Sequence, residues 1–138
     1  MRVSCHLTFN GECEVAFLFY AACLGGTITT MLKYGESGLA SQVPLEWQGR
    51  VLHASLMAGD LVLAGVDAAP GEYVRPQGFF ALLDLNEVAE AERIFTALAE
   101  RGVIRMPLQE TFWAQRFGMV TDRFGIPWEI NCGAAQGL

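Results

Sequence analysis

Residues 3–26 read VSCHLTFNGECEVAFLFYAACLGG, and this stretch decides the fold. Its first seven residues alternate, with Val3, Cys5, Leu7 and Phe9 on one side and Ser4, His6 and Thr8 on the other. That is the pattern of a strand with one apolar face. Asn10 follows, a residue type suited to cap a helix, and Glu12 and Glu14 fall in the first turn, favourable against the positive helix end. Ala16, Phe19, Tyr20 and Cys23 then share one helical face. Gly25-Gly26 ends the helix, because glycine accepts the left-handed conformation of a C-terminal cap.

Working outward, strand-like runs follow at Thr27–Lys33, Val51–Met57 and Leu61–Gly65, the last two joined by a hairpin turn at Ala58-Gly59-Asp60. Residues 35–50 form a long connection containing Gly35, Gly38, Pro44 and Trp47, and a connection of that length is more often functional or disordered than idle. Gly78–Leu85 is again a strand. Asn86 opens a second helix that runs to Arg101 over a stripe of Val88, Ala91, Phe95 and Leu98, and Gly102 stops it. Sliding the chain by 76 positions places Asn10 on Asn86, Glu14 on Glu90, Phe19 on Phe95, Gly26 on Gly102 and Ile28 on Ile104. A slide of 66 places Gly59 on Gly125. Each half therefore reads strand, helix, three strands. The predicted fold is a single α+β domain of two βαβββ modules, residues 1–68 and 78–133, joined by a linker at 69–77. Such repetition arises when one unit alone leaves an apolar face uncovered.

A chain of 138 residues is long enough for one domain with a real core, and 52% hydrophobic with 17% charged residues excludes intrinsic disorder. Nine basic against fifteen acidic side chains give 9 − 15 = −6, which argues against nucleic acid or an anionic membrane as partner. Cys5, Cys13, Cys23 and Cys132 contain no two-residue-spaced pair, so zinc-knuckle and dithiol spacings are absent. Reduced structural thiols in a cytoplasmic protein are expected. The run Val15–Leu24 ends in Tyr20-Ala21-Ala22-Cys23, superficially a lipoprotein processing site. Glu12 and Glu14 precede it where a signal peptide carries positive charge, so it is read as a core helix.

Three stretches carry a family resemblance: LTFNGECEVAFLFY at 7–20, VLHASL at 51–56 and, most specifically, MPLQETFWAQRFGMVTDRFGIPWEINC at 106–132. Together with the repeated module order they resemble the PhnB-like proteins of the vicinal oxygen chelate superfamily, which includes glyoxalases, extradiol dioxygenases and fosfomycin-resistance proteins. The likeness extends over nearly the whole chain. It implies a glyoxalase-like domain whose modules curl into a mixed-sheet cup, with helices on the convex side and a small-molecule ligand on the concave side. Leu7, Phe9, Leu52, Ala54 and Leu56 would then face the core, and His6, Thr8, His53 and Ser55 the cup. In the last strand Trp128 and Ile130 alternate with Glu129 and Asn131. Family members often carry the label 3-demethylubiquinone 3-methyltransferase. This chain lacks the glycine-rich turn between a strand and a helix of a parallel sheet that a doubly wound methyl-donor site needs, so a methyltransferase dependent on S-adenosylmethionine is not expected.

The resemblance also implies four metal-ligand positions, on the first and last strands of each module. His6 (with Cys5 one frame over) and Glu129 are ligand-type residues, whereas Leu63 and its neighbours Val62 and Ala64, and Phe79 to Leu82, are not. His53 matches no standard ligand position. Histidine with carboxylate suits zinc, nickel, iron or manganese, acting as Lewis acid on a chelating substrate. The competing reading makes His6, His53 and Glu129 a metal-free polar cluster, either an acid–base catalytic set or a recognition patch.

Gln109–Phe117 is the most distinctive run. Either Glu110, Phe112, Trp113 and Arg116 form a wall of the cup, with Arg116 holding an anionic group, or the segment is a packing seam with Arg116 paired to Glu110 or Asp122. Trp47 is a lid or a packing residue, and Ser55 and Asn131 complete the candidate ligand-binding set. Asp122–Gly125 reads as a hairpin turn. Two functions are thus expected from this cup: a lyase, isomerase or dioxygenase type of enzyme, with or without a divalent metal, or a metal-free protein that binds or sequesters a small molecule. A homodimer is expected in either case.

Overall fold

The computed structural model describes residues 1–135. Its chain divides between Arg75 and Pro76 into two compact units of the same design. In the first, β1 (Cys5–Phe9), α1 (Cys13–Leu24), β2 (Thr27–Lys33), β3 (Val51–Ala58) and β4 (Leu61–Asp67) build a four-stranded sheet of order β1-β4-β3-β2. The second repeats it with β5 (Ala81–Leu85), α2 (Val88–Ala99), β6 (Val103–Gln109), β7 (Ala114–Thr121) and β8 (Pro127–Ala134), in the order β5-β8-β7-β6. Both sheets are mixed: β1 runs parallel to β4 and β5 parallel to β8, while the remaining pairs are antiparallel.

Alternation decides which sheet face closes against the helix. In the first unit Leu7, Gly65 and Ala54 stand in one row across β1, β4 and β3. A Cβ on Gly65 would lie 2.5 Å from the Phe17 ring of α1, so this row faces the helix. Leu7, Phe9, Ala54, Leu56 and Leu63 are buried there against Cys13, Ala16, Phe17 and Tyr20. Each large apolar side chain so buried contributes about 1.5–3 kcal/mol. In the second unit Leu83, Ile130 and Gly118 form the corresponding row, and Trp128, Ile130, Val120 and Leu98 are fully covered.

Several local expectations are corrected. Phe19 is only half-buried and Phe17 takes its place in the core, because the helix closes on the sheet along 13, 16, 17, 20 and 23. In α2 the stripe is Ala91, Ile94, Phe95 and Leu98, with Val88 half-exposed. Leu52 is half-exposed and Val51 is buried, since the pairing of β2 with β3 slips between Leu32 and Lys33. Asn10 does not cap α1, nor Asn86 α2: the N-cap positions are Glu12 and Glu87, without side-chain cap bonds. At α1 a distant residue does the work. Asp67, at the end of β4, accepts the amides of Gly11 at 2.8 Å and Cys13 at 3.0 Å on Oδ1, and that of Val51 at 2.9 Å on Oδ2. It is 1% exposed.

Helix ends differ too. Gly25 takes the left-handed cap with φ 68°, as expected. After α2 the left-handed residue is Arg101, φ 56°, and not Gly102. Gly102 is required for space: a Cβ there would sit 2.4 Å from the Thr121 carbonyl oxygen. The turn after β7 is the expected one. Asp122 accepts the amides of Phe124 and Ile126 and the Trp128 indole N–H, at 2.9, 3.0 and 2.9 Å.

The cysteines are free thiols, Cys13, Cys23 and Cys132 buried and Cys5 partly so. Burial, with Asp67 and then Glu14 adding negative charge, pushes the Cys13 thiol far above its ordinary value of 9.0. The folded pKa lies above the unfolded one, so this thiol's stabilising contribution is complete below pH 9 and declines as pH rises past it, where only the unfolded chain ionises. Urea midpoints at pH 8 and pH 10 should therefore differ less in Cys13→Ala than in the parent; an equal drop would contradict this.

Candidate functional site

The sheet face opposite each helix carries the candidate residues. In the first unit His6 on β1 pairs with Ala64 on β4, and Ala64 with Ser55 on β3, so all three stand in one row. Two strand spacings separate His6 from Ser55, about 10 Å between their Cα atoms. His53 lies two residues before Ser55 and projects to the same side. The Ser55 hydroxyl is bonded to that of Thr29 at 2.6 Å. His6 and His53 are exposed and Ser55 is half-buried.

The second unit has the matching row. Leu82 on β5 pairs with Glu129 on β8, and Glu129 with Met119 on β7. Beside it runs Asp84, Asn131 and Phe117, in which the Asn131 amide donates to Asp84 Oδ1 at 2.9 Å. Strand pairing therefore makes Leu82 the counterpart of His6 (82 − 6 = 76) and Ala64 that of Glu129 (129 − 64 = 65). The slide of 66 had pointed to Leu63, which is fully buried on the helix side. The difference arises in the hairpins: Ala58 pairs with Leu61, but Thr121 with Pro127, so the second turn is longer.

This register tests the donor set for a divalent metal. At the matched positions each unit supplies one donor, His6 facing Ala64 and Glu129 facing Leu82, and alanine and leucine have no atom to offer. Among the described residues no group of three or more His, Cys, Asp or Glu is placed to hold a cation. Within each unit the matched positions leave the donor set for a metal incomplete.

The aromatic segment splits. Phe112 and Trp113 pack edge to face at 4.9 Å, and Trp113 on Phe117 at 5.1 Å. Phe117 opposes Asn131, so this cluster borders the Glu129 face, with Phe112 81% exposed. Arg116 points to the other side, toward α2. Its Nε lies 3.5 Å from Glu92 and its Nη1 donates to the Gln115 carbonyl. The expected partner, Glu110 or Asp122, is thus replaced by Glu92, a residue of the helix. Glu110 lines a small recess with Val88, Gln115 and Arg116. Trp47 is held by its own unit. It donates to the Ala68 carbonyl at 3.0 Å and carries the Arg50 guanidinium on its ring at 3.9 Å. A second cavity, missed from sequence because its walls come from two elements, lies between α2 and β6.

Two mixed sheets, each backed by one helix in a repeated βαβββ order, define a glyoxalase-like fold, which a solved glyoxylase/bleomycin resistance protein/dioxygenase domain from Frankia and a possible glyoxalase from Bacillus cereus share. The family model described as 3-demethylubiquinone-9 3-methyltransferase matches residues 1–131, and the chain belongs to that PhnB-like family. It is 35% identical to Protein YjdN of Escherichia coli K12 over 139 residues, 95% of each chain. Among solved structures, protein PA1353 of Pseudomonas aeruginosa is 42% identical, with TM-score 0.87 over 96% of this chain and 98% of that one. A PhnB protein of Bacillus cereus shares 22% of its sequence with this chain, with TM-score 0.81 over 96% and 100%.

Proposed function

We propose that the protein binds a small organic molecule against the helix-free face of a sheet, without a resident metal. His6, His53 and Ser55 are the candidate polar contacts on the first unit's face, and Glu129 and Asn131 those on the second unit's, which Phe112 and Trp113 border. The observation that carries this reading is the pair of matching rows. Both sheets close one face tightly on a helix, yet leave on the other a sparse polar set among half-exposed apolar side chains, the usual make-up of a ligand surface.

The donor set, with one ligand-type residue in each pair of matched positions, favours metal-free binding over a metal enzyme. Acid–base catalysis by His6, His53 and Glu129 is the second reading, since it needs titratable groups and no Lewis acid. The family's methyltransferase name finds little support in the local geometry. The β1–α1 turn holds a single glycine, Gly11, and the amides at the start of α1 are already taken by the Asp67 carboxylate. A homodimer in the cytoplasm remains our expectation; no helix among the described residues is long and apolar enough to cross a membrane.

Two measurements test the reading. Purified protein should carry substoichiometric metal, and added zinc, nickel, manganese or iron should not raise its melting temperature; a tightly held equivalent of metal would contradict it. A compound found by thermal shift should lose affinity about tenfold in Glu129→Gln, the effect of one charge-assisted hydrogen bond, with the melting temperature of the free protein unchanged. If that compound is turned over, His53→Ala should abolish turnover, and an unchanged rate would remove the acid–base reading.

A further inference from the structure

We propose that the groove between α2 and β6 is a second binding site, for a small organic cation with an apolar body. The groove is open to solvent, offers about 730 Å³ and is lined by Glu92, Phe95, Thr96, Ala99, Glu100, Ile104 and Leu108. That volume suits a drug-sized molecule. Its floor is apolar: Phe95, Ala99, Ile104 and Leu108. Gly118 lets this floor close, since a Cβ there would come within 2.7 Å of the Phe95 ring and 3.0 Å of the Leu108 Cα. Ile104 is 50% exposed although Val120, its partner across the strand pair, is fully buried, so apolar surface is left open to an occupant.

The rim fixes the sign of the occupant's charge. Glu92, Thr96 and Glu100 are spaced by four and form one row along the helix. No basic residue lines the groove. Glu92 meets Arg116 only at 3.5 Å, and its side chain is 55% exposed, so its carboxylate keeps accepting capacity. Glu100 stands at the C-terminal cap of α2, where the helix carbonyls already present a negative end and the last turn holds no basic residue. Carboxylates and helix dipole therefore add. An anion is repelled, a neutral apolar molecule gains only the floor, and an ammonium or amidinium on an apolar body gains floor and rim together. The groove lies on the helix side of its sheet, away from the Glu129 face, so it stands or falls independently of the function proposed above.

The test compares three probes of one shape on the full chain at neutral pH, 4-butylbenzylamine, 4-butylbenzyl alcohol and 4-butylbenzoate, followed by amide shifts in nitrogen-15 spectra. The amine should move the amides of Thr96, Ala99 and Ile104 and bind about tenfold more tightly than the carboxylate. Added salt should weaken it, because exposed charges are screened. The Glu92→Gln/Glu100→Gln double variant, altered only at exposed positions, should lose about tenfold for the amine and nothing for the alcohol. Equal or tighter binding of the carboxylate or the alcohol overturns the proposal. So does an absence of shifts from the amine, or shifts confined to Met119, Glu129 and Asn131.

Discussion

Asp67→Ala should lower the stability of the protein by about 3–5 kcal/mol, because it takes the acceptor from two buried amides, those of Cys13 and Val51, and from the part-buried amide of Gly11. The carboxylate joins the entrance of α1, through Gly11 and Cys13, to the start of β3, through Val51, and it is sealed from water. Its backbone carbonyl also receives the Tyr34 hydroxyl at 2.8 Å. The side chain is thus a hub that water cannot replace. Asp67→Asn is the informative companion. It keeps one oxygen for Gly11 and Cys13 but turns an N–H toward the Val51 amide, so it should lose about half as much, roughly 2 kcal/mol. Urea unfolding with an unchanged slope measures both; a loss under about 1 kcal/mol in the alanine variant would contradict the hub role.

The second large effect is Gly102→Ala, with an expected loss of about 2–4 kcal/mol. The added methyl would meet the Thr121 carbonyl at 2.4 Å, the Leu98 carbonyl at 3.1 Å and the Asp122 Cα at 3.2 Å. All three are backbone atoms, and those of Thr121 and Asp122 belong to the strand end and turn that lead into β8. Relief therefore requires moving a strand, not rotating a side chain. Gly25→Ala is the control. It has open space around its Cβ but a positive φ of 68°, so only the left-handed strain of about 1 kcal/mol applies. Reversal of that order would show that conformation, and not space, dominates at these two helix exits.

Particular elements show what was legible beforehand. Thr27–Lys33 was readable to the residue, and the module order too, because period-two alternation and glycine stops are local signals. Capping was misread because Asp67 lies 56 residues from Gly11, and no window around Asn10 contains it. Gly102 was recognised as necessary for the wrong reason: its neighbour Arg101 takes the left-handed turn, and the need for glycine comes from a strand that only folding brings near. The candidate site was legible as faces, since His6, Ser55, Glu129 and Asn131 do project away from their helices. It was not legible as register. The counterpart of Glu129 is Ala64 because two hairpins differ in length, and Arg116 faces α2 because Phe117, next to it, takes the other side.

The central claim is that a small molecule binds on a helix-free sheet face. The direct measurement is a titration of labelled protein with the first compound that raises its melting temperature, following the His6 and His53 ring resonances, the Glu129 and Asn131 amides, and the amides of the two helices. The account predicts that His6 and His53, or Glu129 and Asn131, move along a saturable binding curve. Shifts confined to helix residues, with all four of these groups unmoved, would contradict it.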